Sequence, residues 1–182
     1  MIKGKLINLR LMEMRDIDAY VKAYNNLEQR GEFYPMNFLS VEKYKRDLAE
    51  QNCWKQDYGY MMITDNDDRV MGMMAFFKSS PYMEGFEVGY NIFASEDRGK
   101  GFGTEALKLF TAYMFEARNI QRLELNANPE NMGSVKIAEK CGYQYEGRMR
   151  KAAFCRGGFE DLVKYSILKE DCSTLDEVFN NL

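Results

Sequence analysis

The segment Arg98-Gly99-Lys100-Gly101-Phe102-Gly103-Thr104 sets three alternating glycines directly after an alternating apolar stretch, Phe86 to Phe93, and directly before the strongest amphipathic pattern in the chain, Thr104 to Ala117. Glycine at alternate positions lets the backbone approach a ligand closely, and the first turn of a helix offers N–H groups that have no intrahelical partner. Those amides, the positive end of the helix dipole and the flanking Arg98 and Lys100 predict an anion site suited to a pyrophosphate; the alternative is a flexible surface turn ahead of a helix. A Walker loop needs a hydroxyl residue after its lysine, whereas Lys100 precedes a glycine. A dinucleotide fingerprint needs G-x-G-x-x-G inside a parallel βαβ unit, and here the glycines run G-x-G-x-G.

Composition narrows the chemistry further. A chain of 182 residues buries roughly 70% of its unfolded surface, enough for one core, and 46% hydrophobic with 29% charged residues excludes a disordered or collagen-like protein. The net charge of −3 gives no footprint for a phosphate backbone, so nucleic acid is not an expected partner. Histidine is absent, which removes Ser-His-Asp and Cys-His catalysis and imidazole metal sites. Cys53, Cys141, Cys155 and Cys172 are irregularly spaced with no CxxC pair, so no metal site is expected and the thiols read as reduced in a cytoplasmic protein. No apolar signal segment and no stretch of ~20 apolar residues appears, so neither export nor a membrane span is expected.

Alternation at Ile7, Leu9 and Leu11 predicts a strand over Leu6 to Leu11, and Asp16 is placed to cap a helix whose inner face is Ile17, Tyr20, Val21, Tyr24 and Leu27. A second helix begins after Ser40, with Val41, Tyr44 and Leu48 inward. Between them the polar and aromatic connection Gln29 to Phe38 is too long for a tight turn and is read either as a site-forming loop or as plain surface. Tyr58 to Thr64 and Val70 to Phe77 form a hairpin about Asp65–Asp68, followed by a third strand at Phe86 to Phe93, with Phe86, Val88, Tyr90 and Ile92 on one face and Glu87, Gly89 and Asn91 on the other. Arg122 to Asn128 gives another strand, Asn131 to Cys141 a short helix stopped by Gly142, and Tyr143 to Arg150 with Phe159 to Leu168 a closing pair. Ser173 and Asp176 read as a capping box for a tail helix whose apolar face, Leu175, Val178, Phe179 and Leu182, packs on this core or on a second subunit of a homodimer. Residues 1–170 thus form one domain and 171–182 an amphipathic tail.

The glycine segment resembles the [RQ]-x-x-G-x-[GA] pyrophosphate loop of the GNAT superfamily of acyl-CoA-dependent N-acyltransferases. Asn128-Pro129-Glu130-Asn131-Met132-Gly133-Ser134 followed by Cys141-Gly142-Tyr143 is similar to the family's N-x-x-S … LGF segment. Glu146-Gly147-Arg148, Gly157-Gly158-Phe159-Glu160-Asp161 and Tyr165-Ser166-Ile167-Leu168 resemble the branch of ribosomal-protein N-terminal and spermidine acetyltransferases. The resemblance implies an α/β GNAT fold: a mixed, mostly antiparallel twisted sheet, helices on both faces and a V-shaped splay between two central strands. It implies acetyl-CoA as acyl donor, with its pantetheine arm in the splay beside the backbone of Ile92, Phe93 and Ala94. An amide near Phe93 would then act as oxyanion donor, and Arg98, Gly99, Lys100, Gly101, Phe102, Gly103 and Thr104 would hold the pyrophosphate. Asn126, Asn131 and Ser134 would contact the same cofactor.

Attack on a thioester needs a neutral amine, whereas an alkylammonium loses its proton only near pH ~10.4. Glu87, on the polar face of the strand bordering the thioester, is the expected base, acting directly or through water; a solvated carboxylate is the alternative. The leaving thiolate, with a reference pKa of ~8.5, needs one hydrogen bond, which Ser134 can donate. Where some relatives carry a tyrosine further along this helix the chain has Ala138, and where others carry a glutamate before the last strands it has Ala152-Ala153. Glu28, Glu32, Phe33, Tyr34 and Phe38, with Glu84, are expected to form an acidic aromatic pocket for a small cationic amine such as a polyamine, an amino sugar or an antibiotic. A protein N-terminus is the alternative acceptor, and a noncatalytic acyl-CoA sensor the alternative function.

Overall fold

The computed structural model describes residues 1–51, 53–78, 80–82 and 84–182. Its centre is the helix α3 (Phe102–Ala117), which lays Ala106, Leu107, Leu109, Phe110 and Met114 against one face of a sheet, as the stripe in the sequence requires. The helix starts two residues earlier than expected, because Gly101 takes the left-handed conformation at φ +93° and turns the chain directly into Phe102. Phe115 is buried as well.

Eight strands form one sheet in the order β1-β2-β3-β4-β5-β6-β8-β7. They are β1 (Ile2–Lys3), β2 (Asn8–Leu11), β3 (Tyr58–Thr64), β4 (Val70–Phe77), β5 (Phe86–Ile92), β6 (Arg122–Ala127), β7 (Gln144–Cys155) and β8 (Gly158–Leu168). The expected first strand is shortened to Asn8–Leu11 and preceded by a two-residue strand: Gly4 N–H donates to Ile7 O at 2.9 Å in a turn, and Ile2 pairs back on Leu9. Leu11 is exposed, so only Ile7 and Leu9 of the alternating set enter the core. Buried Glu105 fastens this edge to α3 by accepting from Leu6 N–H at 2.8 Å and Ile7 N–H at 3.2 Å.

All pairings are antiparallel except β5 with β6. Those two strands pair only at Phe86–Leu123 and Glu87–Glu124, although each runs on for several residues. Beyond Glu87 they part, which is the expected V-shaped opening.

Helices cover both faces. On one face α3, α4 (Met132–Lys140) and α5 (Leu175–Asn180) close a core that includes Phe76, Val88, Leu123, Leu125 and Ile167. On the other, α1 (Ile17–Asn25) and α2 (Val41–Gln51) close a second core of Met62, Met73, Ala75 and the rings of Tyr20 and Tyr24. Asp16 precedes α1 without a side-chain capping bond, because its carboxylate grips Arg10 in two hydrogen bonds of 2.7 and 2.9 Å.

The tail helix is capped one residue later than expected, by Thr174 with Glu177 in a reciprocal box. That register turns Val178 inward, and Leu175 and Leu182 pack beside it on the core of the same chain. Phe179 stays 39% exposed.

Candidate active site

The site forms where β5 and β6 part. In the β4–β5 ladder Phe93 N–H donates to Met71 O at 2.9 Å. Antiparallel alternation therefore turns the N–H and C=O groups of Val88, Tyr90 and Ile92 the other way, toward β6. The oxyanion donor expected near Phe93 is consequently not the Phe93 amide itself; the Ile92 amide is the neighbouring one that faces the opening. Ala94 follows in extended backbone at the mouth.

The glycine loop sits at the same end of the sheet. Gly99 and Gly101 both hold positive φ and are exposed; a Cβ on Gly99 would meet nothing within 4 Å and one on Gly101 only the end of Leu6. Among the described residues no backbone carbonyl accepts from the amides of residues 99 to 104, whereas Glu105 N–H returns to Gly101 O. This is a cradle of unpartnered donors at a helix N-terminus, with room for an anion against it. Gly103 serves packing instead, since it is buried and a Cβ there would press on Ile137 and the Tyr90 ring.

Arg98 behaves otherwise than expected for a phosphate ligand. Its guanidinium donates to Ile92 O at 3.0 Å, Phe93 O at 3.1 Å and Gln29 O at 2.7 Å, so it fastens the end of β5 to the loop after α1. Lys100 remains half exposed, 3.7 Å from Asp97. Buried Asp97 takes its principal partner from Arg69 at 2.9 Å, which holds its carboxyl below the usual range and fixes the turn leading into the glycine loop.

Two faces of the sheet meet at the opening. On the α3–α4 face the Tyr90 hydroxyl is buried without a hydrogen-bond partner beside Ser134, and burial pushes it up to about 12. The sequence gives Tyr90 only as an apolar strand position; nothing in the alternation signals that its hydroxyl lacks a partner. Asn131 caps α4, its side-chain oxygen accepting from Ser134 N–H at 3.1 Å, which leaves its amide NH₂ for a ligand. Cys141 donates to Thr104 O at 3.4 Å, and burial pushes its thiol up to about 12, the opposite of an activated nucleophile.

On the α1–α2 face, Glu87 stands opposite Glu124. Burial raises the pKa of Glu87, while Asn126 beside it and the Lys164 ammonium pull it back. Asn126 also presents a buried carbonyl oxygen with no partner. Glu124 is held ionised, against its burial, by Lys164 at 2.6 Å and Arg122 at 2.7 Å, and Arg122 reaches on to Glu146. Of these three carboxylates Glu87 is the one without an ion-pair partner among the described residues.

The expected acidic aromatic pocket is not assembled. Glu84, 87% exposed, lies just before β5, at the opposite end of a seven-residue strand from Arg98 and Gln29, roughly 20 Å away. Tyr34 packs edge-on against Tyr24 at 5.6 Å, and Phe38 and Glu28 are exposed. The backbone at Glu32 is latched to the last hairpin, its carbonyl accepting from Arg156 at 3.0 Å and Cys155 at 3.5 Å. Where loop and hairpin meet, a cavity of about 490 Å³ is lined by Tyr24, Pro35, Met36, Asn37, Phe154 and Arg156, with no carboxylate among them.

Comparison with known proteins agrees with this geometry. Residues 7–144 match the acetyltransferase (GNAT) domain family model. The chain is 29% identical to a probable N-acetyltransferase, YjcK, of Bacillus subtilis, covering 94% of this chain and 98% of that one. It is 31% identical to the spermidine N(1)-acetyltransferase of Vibrio cholerae, covering 90% and 93%. The crystal structure of ribosomal-protein-S5-alanine acetyltransferase from Vibrio fischeri superposes with a TM-score of 0.79 at 22% identity, covering 94% of this chain and 98% of that one. The chain belongs to the GNAT acetyltransferase family and is an acetyl-CoA-dependent N-acetyltransferase. No helix among the described residues is long and apolar enough to cross a membrane, and no group of side chains among them is arranged to hold a metal ion.

Proposed function

We propose that the protein transfers the acetyl group of acetyl-CoA directly to a primary amine of a small cationic molecule, without a covalent enzyme intermediate. The observation that carries this reading is the opening between β5 and β6, with an unpaired carboxylate on one side and an unpartnered hydroxyl on the other. Acetyl-CoA, when bound, supplies an activated acyl carbon. Starting from the ammonium, the transfer forms one C–N bond, breaks one C–S bond and takes two protons from nitrogen, one to the base before attack and one to the leaving thiolate after it, leaving an amide and the CoA thiol.

Glu87 accepts the proton of the incoming ammonium, directly or through a water; its raised pKa brings it closer to the pH at which the amine must be neutralised. The Ile92 amide donates to the carbonyl oxygen as negative charge develops there. Ser134 and Tyr90 offer hydroxyl donors to the leaving sulfur, and the pyrophosphate is held by the amides of Gly99 to Thr104 with Lys100. Asn131 contributes its free amide NH₂ and Asn126 borders the opening from the acceptor side. The latch of the loop onto the last hairpin through Arg156 supports a small acceptor over a protein N-terminus, because it narrows access to this end of the sheet.

The test is to mix the protein with acetyl-CoA and a panel of amines and N-terminal peptides and to follow free thiol release. Thiol release with small amines and not with peptides is expected. Release with peptides alone contradicts the acceptor class, and CoA binding without release for any amine makes the protein a sensor instead.

A further inference from the structure

We propose that the acceptor lies in a groove on the α1–α2 face of the sheet, floored by Ala75 and Gly89, and that this groove selects a primary monoamine on a slender apolar or aromatic carrier over a polyamine. The inference rests on the acetyltransferase reading above and adds to it where the amine sits and what it is.

Register defines the groove. Tyr58 stands opposite Phe77, Phe77 opposite Glu87 and Glu87 opposite Glu124, so the four side chains form one row across the face. In the next row Tyr60 stands opposite Ala75 and Ala75 opposite Gly89. Large side chains therefore flank two small ones, Ala75 at the margin of the second core and Gly89 beside it. A Cβ built on Gly89 meets nothing within 4 Å, whereas one on Gly59 or Gly72, in the adjoining strands, runs into a ring or backbone. Gly59 and Gly72 are glycine because the packing leaves no room; Gly89 has ordinary strand φ and open space above it. Phe77 is 40% exposed at the end of a strand otherwise shielded, as the wall of an open trough would be.

The charges set the class. Along this face Glu87, Glu124 and Glu146 meet the two cations Arg122 and Lys164, and both cations are already engaged with Glu124. One negative charge, that of Glu87, is left for one ammonium. Among the described residues a second ammonium has no comparable place: the Tyr58 ring already carries the Lys55 ammonium at 5.0 Å, and Glu84 is already faced by Lys78 at 4.0 Å. The aromatic wall of Tyr58, Tyr60 and Phe77 accepts an apolar body, and the Lys55 ammonium on the Tyr58 ring repels further positive charge.

The test compares phenethylamine with spermidine as acceptors for the full-length protein, with CoA affinity measured in parallel. Wild type is expected to show at least 10-fold higher kcat/KM for phenethylamine. Gly89→Val, which fills open space, should raise the KM for phenethylamine at least 10-fold with CoA affinity unchanged, and Gly89→Ala should do so to a smaller degree with an unchanged melting temperature. Lys55→Ala should improve spermidine selectively. If CoA binds and spermidine is the equal or better substrate, or if both Gly89 variants keep the wild-type KM, the groove is wrong while the acetyltransferase reading stands. If CoA does not bind the wild type, that underlying reading fails first.

Discussion

Glu87 and Tyr90 are near neighbours in the chain yet face opposite sides of the sheet, and among the described residues each lacks what its type ordinarily has: Glu87 an ion-pair partner, Tyr90 a hydrogen-bond partner. Glu87→Gln is expected to lower kcat about 100-fold, the lower end of what a positioned base contributes, with CoA affinity unchanged. Because burial raises the Glu87 pKa, the acid limb of the wild-type rate profile should lie above the ordinary carboxylate range and vanish in the variant. Stability follows with a definite sign. A carboxyl whose folded pKa is raised favours the fold below its unfolded pKa and loses that contribution as pH rises through the folded value. Glu87→Gln should therefore raise the melting temperature at pH 7 and not at pH 4; a lower melting temperature at pH 7 would contradict the burial argument. Tyr90→Phe removes a hydroxyl without a partner, so stability should hold or rise, while kcat falls about 10-fold, as for one lost hydrogen bond to a developing charge. Unchanged kcat would assign the sulfur to Ser134 alone. Glu87 is legible in the sequence because the period of a strand sets it on the polar face. Tyr90 is not, since alternation says which face a residue takes but not whether its far end finds a partner.

At the scale of elements, the glycine loop and the helix after it are readable because spacing alone demands them, and the two-residue difference at the start of α3 comes from Gly101, whose left-handed backbone is a property of the fold. The tail helix shows the same limit. Ser173 with Asp176 and Thr174 with Glu177 satisfy the same capping pattern one residue apart, and tertiary packing of Val178 on the α3 side decides between them. Thr174→Ala should cost about 1 kcal/mol, or about 2–4 °C in melting temperature for a chain of this size, and Ser173→Ala nothing measurable. Equal losses in the two variants would show that the box is not what holds the helix. The loop after α1 has the composition of an acceptor pocket without being one; where its side chains point depends on Arg98, Cys155 and Arg156, which latch its backbone from distant parts of the chain.

For the whole molecule, the sheet separates two approaches. The anion cradle and the Tyr90 hydroxyl belong to the face covered by α3 and α4, whereas Glu87 and the Gly89 trough belong to the face covered by α1 and α2. β5 and β6 part beyond Glu87, and in the proposed mechanism that parting lets a thioester held on one side be reached by an amine from the other. Such a division needs the donor fixed first, by its pyrophosphate on the amides of Gly99 to Thr104. The most direct test is the thermal stabilisation given by CoA to wild type and to Gly101→Val, a branched side chain at a positive φ within the glycine loop. CoA at 100 times its Kd should stabilise wild type by about 2.7 kcal/mol and leave Gly101→Val, itself of lower melting temperature, unshifted. Equal stabilisation of the two proteins would contradict the account.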